Sequence, residues 1–302
     1  MTDAIRHHAV SAAGRTLLLG DRPWLMGIVN ASPDSFSDAG EYPDLDARVA
    51  LARELLAAGA DLIDVGGESG ITLRPAVAAE EEIGRVAPLV ERLVRELGAT
   101  VSVDTYKPAV AEAAIAAGAV IVNDVSGLRD PQLANVCART GAALVLMHTR
   151  AAPKQRLQDP GRYDDVTADV VGFLAERIEV ARARGVRDKQ LILDPGPDFA
   201  KTPAQTIELL RRLEELHAFG LPLLLAVSRK DFVGALTGRE PRARLAGTLA
   251  AIAHGVDAGA HILRVHDVAA TADFLAVRAA LQGDAAIDPQ LALDDAIRLA
   301  RG

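Results

Sequence analysis

The chain has few of the features that mark secreted, membrane-spanning or nucleic-acid-binding proteins. Only one of its 302 residues is a cysteine, Cys137, so the sequence offers neither a disulfide framework nor a cysteine metal site. No apolar run is long enough to span a membrane, and the first eight residues lack the apolar core of a signal peptide. The net charge of -8 comes with no long basic stripe. We therefore expect a cytoplasmic protein with neither nucleic acid nor a membrane as its partner.

What the chain does contain is a series of eight short apolar runs, each ending in a polar or glycine cluster. The runs lie at residues 24–29, 62–65, 101–103, 120–122, 143–146, 191–193, 223–227 and 262–263. Segments of roughly 15 to 40 residues, mostly with helical patterns, separate them. Short runs that are apolar on both sides are typical of buried parallel strands, which indicates a β/α protein. Polar side chains at the carboxyl ends of such strands mark the face where barrel enzymes place their active sites.

A repeated tripeptide favours a closed (β/α)8 barrel. Ala-Gly-Ala, or once Thr-Gly-Ala, precedes four of the runs, at 58–60, 117–119, 140–142 and 258–260. Each glycine stands where a helix would end in a left-handed cap before the next strand. A doubly wound open sheet could contain the same repeats. Eight units in 302 residues favour one barrel domain over residues 1–302, with its core at about 22–280.

Three segments lie outside this regular pattern. Residues 15–20 predict a short N-terminal strand that could close the bottom of the barrel. Residues 149–163 predict an irregular loop, and helical periodicity resumes over 166–180. The alanine-rich residues 283–302 predict a helical tail.

Seven short motifs between about residues 22 and 280 resemble, in this order, the signatures of the dihydropteroate synthase family. They read NASPDSFSD at 30–38, DVGGES at 64–69, SVDT at 102–105, NDVSG at 123–127, SRK at 228–230, GT at 247–248 and RVHDV at 264–268. The resemblance implies a (β/α)8 barrel that is usually a homodimer. It also implies a reaction that joins a dihydropterin pyrophosphate to p-aminobenzoate and releases pyrophosphate.

The predicted strand ends carry side chains suited to binding a pterin ring. A pterin presents an N–H group beside an amino group, and the carboxylate of Asp194 could accept hydrogen bonds from both. Asn123 offers both a donor and an acceptor, and Met147 suits one flat face of the ring. Structural alternatives exist, because Asp194 could cap the loop that follows it and Asn123 could cap a turn with Asp124. Met147 could simply be part of the core.

The last predicted strand carries side chains suited to the leaving group. Breaking the bond to pyrophosphate develops negative charge, which nearby cations stabilise. Arg264 and His266 alternate across Val265, so both project from the same side of the strand and could contact one anion. The alternative for Arg264 is an ion pair with Asp267 or with another carboxylate of the barrel.

Further roles follow from the resemblance alone. It places Asp104 against the pterin, where a carboxylate could stabilise cationic character, and Lys230 between the two substrates. The resemblance gives Asn30 a contact with Mg²⁺ that accompanies the pyrophosphate. The predicted catalytic residues are Asp104, Lys230, Arg264 and His266. The predicted pterin site is Asp104, Asn123, Met147, Asp194 and Lys230, and the pyrophosphate site is Asn30, Arg74, Arg264 and His266. The predicted second-substrate pocket is Pro33, Ser35, Phe36, Phe199 and Asp231. We expect pyrophosphate to leave first, and the neutral amine then to attack the dihydropterin cation.

The sequence departs from the family pattern mainly on the p-aminobenzoate side. Asp231 replaces a serine that contacts the substrate carboxylate in the family, and two carboxylates in contact repel each other. In the loop at 194–201, Asp198 stands where the family has glycine. Residues 70–73 separate Ser69 from Arg74, where the family has a shorter connection.

These departures leave three functions open. The first is dihydropteroate synthase itself, with Mg²⁺ and p-aminobenzoate. The second is a divergent paralogue that keeps the pterin site but lacks the condensation or uses an amine without a carboxylate. The third is a pterin-binding methyltransferase domain. The motifs at 228–230 and 264–267 argue against the third, because that reaction has no pyrophosphate to hold.

Overall fold

The computed structural model describes residues 7–32, 44–68 and 75–298. The first described element is an antiparallel hairpin of strands β1 (His8–Ala12) and β2 (Arg15–Leu19). This hairpin contains the short strand predicted from residues 15–20.

The eight predicted strands form a closed parallel barrel. They are β3 (Trp24–Asn30), β4 (Leu62–Gly66), β5 (Val101–Asp104), β6 (Ile121–Asp124), β7 (Ala143–Met147), β8 (Leu191–Asp194), β9 (Leu224–Leu225) and β10 (Ile262–Val265). Each strand from β3 to β8 pairs with the next, and β10 pairs with β3 on one side and β9 on the other. A bridge between Leu193 and Leu223 joins β8 to the segment that enters β9. The (β/α)8 prediction is therefore confirmed.

Helices surround the barrel and connect its strands. They are α1 (Leu45–Ala57), α2 (Ala79–Leu97), α3 (Pro108–Ala116), α4 (Gln132–Thr140), α5 (Val166–Ala183), α6 (Pro203–Arg211), α7 (Asp231–Thr237), α8 (Leu245–Asp257), α9 (Val268–Gln282) and α10 (Asp295–Arg298). The four predicted cap glycines all have positive φ angles, of 103° at Gly59, 112° at Gly118, 75° at Gly141 and 83° at Gly259. The repeated tripeptide thus marks the end of a helix before the next strand, as expected.

The core has two layers, one inside the barrel and one between the barrel and its helices. Inward-facing residues such as Met26, Ile121 and Ile192 pack with Val10 and Leu17 of the hairpin. The hairpin therefore closes the amino-terminal end of the barrel, as the sequence predicted. Outward-facing strand residues pack against the helices in the larger layer, which also contains Cys137. The carboxyl-terminal end of the barrel is left for the polar residues.

The C-terminal tail is less helical than its composition predicts. Helix α9 ends at Gln282 because Gly283 adopts a left-handed cap with φ 79°. Within residues 283–298 only Asp295–Arg298 is helical. Alanine favours a helix only where nothing interrupts it, and Gly283 and Pro289 interrupt this segment.

Candidate active site

The register of the barrel places the predicted residues at one level of its carboxyl-terminal end. Across neighbouring strands Asn30 is paired with Gly66, Gly66 with Asp104, and Asp104 with Asn123. On the other side Met147 is paired with Asp194. The strands thus extend past their apolar runs to include the first polar residues, which fixes these residues by backbone hydrogen bonds.

Arg264 lies at the centre of a buried network of carboxylates. Its Nε donates to Oδ2 of Asp64 at 2.6 Å, and its Nη2 donates to Oδ2 of Asp104 at 2.9 Å. Nδ2 of Asn123 donates to the same Oδ2 of Asp64 at 3.1 Å. The ion pair that the sequence left open for Arg264 is therefore present, but its partners are Asp64 and Asp104 rather than Asp267.

Two acceptor atoms of this network are buried without a partner. Among the described residues, neither Oδ1 of Asp64 nor Oδ1 of Asn123 has a hydrogen-bond partner. Buried polar atoms are normally paired, so these two point to a ligand that brings N–H groups. The alternative considered for Asn123 was the capping of a turn with Asp124. In the structure it is Asp124 that caps this turn, by accepting from the N–H groups of Ser126 and Leu128.

Asp104 is poised between protonation states. Burial raises its pKa to about 7, and the negative charge of Asp64 acts in the same direction, while the Arg264 guanidinium opposes both. Asp104 therefore changes charge near neutral pH.

Asp194 closes the turn that follows β8. Its Oδ1 accepts from the N–H of Gly196 at 2.7 Å, so the loop-capping alternative holds for this oxygen. A Cβ at Gly196 would lie 2.1 Å from the carbonyl oxygen of His148, and the φ of this glycine is 64°. Burial raises the pKa of Asp194, while the Gly196 amide and the Lys230 charge oppose the rise. Met147 is 1% exposed and lies beside this turn.

A buried triad that the sequence analysis missed supports the same loop. The fully buried Lys201 contacts Nδ1 of His148 at 2.7 Å and donates to the carbonyls of Gly196 at 2.9 Å and Phe199 at 3.1 Å. Nε2 of His148 contacts Asp169 at 2.9 Å. Burial lowers the pKa of Lys201 to about 7 and that of His148 to about 4. The signals in the sequence were a histidine just after the predicted strand at 143–146 and a lysine at the end of the loop at 194–201.

Lys230 lies over the ring of Phe199, with 4.2 Å between its Nζ and the ring centroid. Nδ1 of the nearby His266 contacts the Ser228 hydroxyl at 2.9 Å. Arg229 turns away from this group and forms a two-point ion pair with Asp267, at 2.6 Å and 3.1 Å. Arg229 therefore faces the surrounding structure rather than the Phe199 ring.

Both carboxylates that depart from the family pattern have partners in the structure. Asp231 is 61% exposed at its side chain and pairs with Nη1 of Arg244 at 3.2 Å. Oδ2 of Asp198 accepts from the N–H of Phe232 at 3.1 Å, and its Oδ1 accepts from the Thr206 hydroxyl at 3.1 Å. Neither carboxylate is therefore unpaired, and a cation stands beside Asp231.

A second charged cluster supports the loop that follows β4. Lys107 donates to Glu68 at 2.6 Å and also contacts the buried Glu82. Lys154 pairs with the other oxygen of Glu68 at 3.1 Å, and Tyr106 donates to Glu68. This cluster joins the loops after β4, β5 and β7. The sequence analysis did not identify it, because its members are far apart in the chain.

Four predicted site residues, Pro33, Ser35, Phe36 and Arg74, lie outside the described residues. Among those described, no group of three or more His, Cys, Asp or Glu side chains could hold a metal ion. Asn30 ends β3, and its Oδ1 lies 3.7 Å from the position that a Cβ of residue 66 would take. Oδ2 of Asp104 lies 4.0 Å from the same position. The Asn30 amide oxygen is a hard donor of the type that Mg²⁺ prefers, whereas Oδ2 of Asp104 is paired with Arg264, so the described residues form no closed metal site.

Comparison with known proteins links this arrangement to pterin chemistry. Residues 26–266 match the family described as "Pterin binding enzyme". Dihydropteroate synthase of Bacillus subtilis (strain 168) is 42% identical over 249 residues, covering 82% of this chain and 85% of that protein. A Xanthomonas albilineans dihydropteroate synthase structure with 4-aminobenzoic acid has a TM-score of 0.84 at 46% identity and covers 92% of this chain and 99% of its own. Another structure of that organism's enzyme, with 7,8-dihydropteroate, has a TM-score of 0.81 at 46% identity and covers 91% and 98%. Every helix in the described part of the chain is too short or too polar to cross a membrane.

Proposed function

Because the chain belongs to the dihydropteroate synthase family of pterin-binding enzymes, we infer that it is a transferase of folate biosynthesis. It condenses 6-hydroxymethyl-7,8-dihydropterin pyrophosphate with p-aminobenzoate and releases pyrophosphate. The observation that carries this function is the buried network of Asp64, Asp104, Asn123 and Arg264, with its two unpartnered acceptor oxygens. A ligand that brings N–H groups satisfies these acceptors, and a dihydropterin carries a ring N–H in addition to the two-donor edge assigned to Asp194.

We propose that the strand ends bind and orient the pterin. Asp194 accepts from the two-donor edge, Asn123 contacts the remaining heteroatoms, and Met147 covers one face. Asp104 contributes a carboxylate near the position where positive charge develops as pyrophosphate leaves. Arg264 holds Asp104 and Asp64 in place through its two ion pairs.

Arg264 and His266 are proposed to hold the pyrophosphate. Both are partly exposed, whereas Val265 between them is buried, so they face the same side at the barrel mouth. Asn30 and, outside the described residues, Arg74 complete this proposed group. Asn30 would hold the Mg²⁺ that accompanies the pyrophosphate, and the cation would offset part of the negative charge of the leaving group. The Asn30 amide oxygen beside Gly66 supports this assignment.

Lys230 and Phe199 are proposed to form the junction with the second substrate. The Lys230 ammonium stands over Phe199 at the edge of the barrel. From this position it can donate hydrogen bonds both to the pterin and to groups in the part of the pocket that receives the amine. Pro33, Ser35, Phe36 and Asp231 are proposed to line the rest. The amine attacks in its neutral form, so the protein needs no nucleophile of its own.

The deciding experiment measures pyrophosphate release by the purified protein with the dihydropterin pyrophosphate and Mg²⁺, with and without p-aminobenzoate. We expect release to depend on p-aminobenzoate and dihydropteroate to form. Pterin binding without that dependence would instead support the divergent paralogue. Omission of Mg²⁺ should lower the rate, and an unchanged rate in a chelator would remove Mg²⁺ from the proposal.

The homodimer stays a prediction from the family resemblance, and the cytoplasmic location stays a prediction from the sequence. An apolar groove of about 420 Å³ lies between α6, α7 and α8, and it supports a second copy of the chain as a partner. Leu236 in this groove is 68% exposed. Light scattering should give the mass of a dimer for the wild type, and Leu236→Glu should shift the mass towards the monomer. A monomeric wild type at micromolar concentration would contradict the homodimer.

A further inference from the structure

Asp198 connects three separate segments at the edge of the site. It lies in the loop after β8, and its N–H donates to the Thr206 hydroxyl of α6 at 3.0 Å. That hydroxyl donates back to Oδ1 of Asp198 at 3.1 Å. Oδ2 of Asp198 accepts from the N–H of Phe232 in the first turn of α7 at 3.1 Å. One side chain therefore fixes the loop to both α6 and α7.

Asp198 adopts a backbone conformation that favours glycine. Asp198 has a φ of 64°, and Ala200 has a φ of 54°, so both adopt the left-handed region. A residue with a Cβ is strained in this region relative to glycine. Glycine would remove this strain at Asp198 but would also remove both carboxylate hydrogen bonds. Ala200, in the same loop, carries the same type of strain without any side-chain hydrogen bond.

The hydrogen bonds of the Asp198 carboxylate to Thr206 and Phe232, here called the tether, lie close to the contact between Lys230 and Phe199. Phe199 follows Asp198 directly, and Lys230 lies two residues before Phe232, whose amide Asp198 accepts. The contact between Asp198 and α7 therefore sets how closely the Phe199 ring approaches the Lys230 ammonium, now 4.2 Å from the ring centroid. Arg244 fixes the other side of Lys230 by donating to its carbonyl at 3.1 Å.

Asp198 also belongs to the charges that surround Lys230. The end of β8 contributes Asp194, and the loop after it contributes Asp198 and the cation of Lys201. Helix α7 contributes Asp231, and β10 contributes Arg264. Burial lowers the pKa of Lys230, and Asp198 is the strongest of the carboxylates that oppose this shift. Arg264 acts in the same direction as burial.

We propose that Asp198 is a positioning residue for Lys230, tying the loop after β8 to α7 and supplying the counter-charge of the ammonium over Phe199. This proposal deepens the proposed function, because Lys230 is the residue at the junction of the two substrates. A carboxylate that the family pattern lacks thus takes part in building the second-substrate side of the site.

Three variants separate the tether from the charge and from backbone strain. Asp198→Gly removes the carboxylate and suits the backbone, and Asp198→Asn keeps a hydrogen-bond acceptor but removes the charge. Ala200→Gly is the matched control, since it relieves the same kind of strain in the same loop and leaves the tether intact. Thermal unfolding of each variant establishes that it is folded before kinetics are measured.

We expect Asp198→Gly to raise KM for p-aminobenzoate about tenfold and to leave KM for the pterin within about twofold. Asp198→Asn should have a KM for p-aminobenzoate close to that of the wild type. In both variants the alkaline limb of the pH profile of kcat/KM should move down by roughly half a unit or more, because Lys230 loses its proton more easily. Ala200→Gly should match the wild type in KM and in pH profile.

A readout without turnover separates this proposal from the proposed function. The sequence has five lysines, so reductive ¹³C-methylation gives a small set of NMR signals, and Lys230→Arg identifies the one from Lys230. The Lys230 signal should titrate at lower pH in Asp198→Asn than in Ala200→Gly. If the wild type makes no dihydropteroate, the proposed function fails while this titration still tests Asp198. An unchanged Lys230 titration, or in an active enzyme a KM in Asp198→Gly equal to that in Ala200→Gly, overturns the proposal.

Discussion

The proposed pterin side and the proposed second-substrate side of this site are built in different ways. On the pterin side, Asp104, Asn123 and Asp194 lie within barrel strands, and their backbones are fixed by the sheet. On the other side, Asp198 lies in a loop, and Lys230 and Asp231 lie where α7 begins. Side-chain contacts from Arg244 and Thr206 hold these positions instead.

This difference explains where the sequence departs from its family. A polar residue at a strand end has neighbours on both sides in the sheet, so replacing it disturbs a buried network such as that around Arg264. A residue in a loop can be replaced if one new partner is found for it. Asp198 accepts hydrogen bonds from Phe232 and Thr206, and Asp231 pairs with Arg244. The departures therefore modify the second-substrate side without dismantling it.

The largest effect should come from breaking the pterin side at Asp194. Asp194→Ala removes the carboxylate proposed to accept from the ring's two donors, and we expect pterin affinity to fall by about a hundredfold or more. Calorimetric titration with a pterin lacking the pyrophosphate measures this change. Asp188→Ala is the control, because Asp188 is an exposed carboxylate paired with Arg182.

Asp194 also holds the turn at Gly196, so a lost turn could mimic a lost pterin contact. Asp194→Asn keeps an acceptor for the Gly196 amide and loses the charge, so its pterin affinity should fall while the fold is retained. Unchanged pterin affinity in Asp194→Ala would show that another residue reads the ring.

A second, smaller effect concerns the charge of Asp104. Its pKa of about 7 lies above the ordinary value of 3.8, so the carboxylate form is lost as pH falls through about 7. If the carboxylate stabilises the developing cation, kcat/KM should fall on the acid side of about pH 7. Asp104→Asn should lower kcat by roughly 10- to 100-fold and abolish this limb.

The pH–rate profiles of the wild type and of Asp104→Asn, measured with both substrates present, test the assignment of the acid limb to Asp104. Arg264→Gln removes the cation that opposes protonation of Asp104, so the acid limb should move to higher pH in that variant. A limb that persists unchanged in Asp104→Asn would belong to another group, for example the substrate pyrophosphate.

The sequence predicted the barrel and the strand-end positions of its polar residues far better than the contacts that hold the loops. Apolar runs and cap glycines are local patterns, and strand ends in a barrel necessarily meet, so Asn123 and Asp194 could be placed without a structure. Asp64 escaped notice because it lies inside an apolar run, yet it accepts from both Arg264 and Asn123. The partners of Asp198 and Asp231 are 8 to 34 residues away along the chain, and no periodicity links them.

The smallest effect should come from Asp231, for which the sequence alone suggested a serious obstacle to p-aminobenzoate. The side chain is 61% exposed, and Arg244 neutralises part of its charge at 3.2 Å. Interactions between exposed charges contribute about 0–1 kcal/mol. The repulsion between Asp231 and the p-aminobenzoate carboxylate should therefore be weak, and Asp231→Ser should lower KM for p-aminobenzoate only about two- to threefold. Asp231→Asn removes the charge at nearly constant size and should give the same gain if repulsion is the cause. Steady-state kinetics at two salt concentrations separate the cases, because the gain should shrink at high salt. An unchanged or lower kcat/KM in Asp231→Ser would remove Asp231 as an obstacle and leave the tether at Asp198 as the main departure on this side.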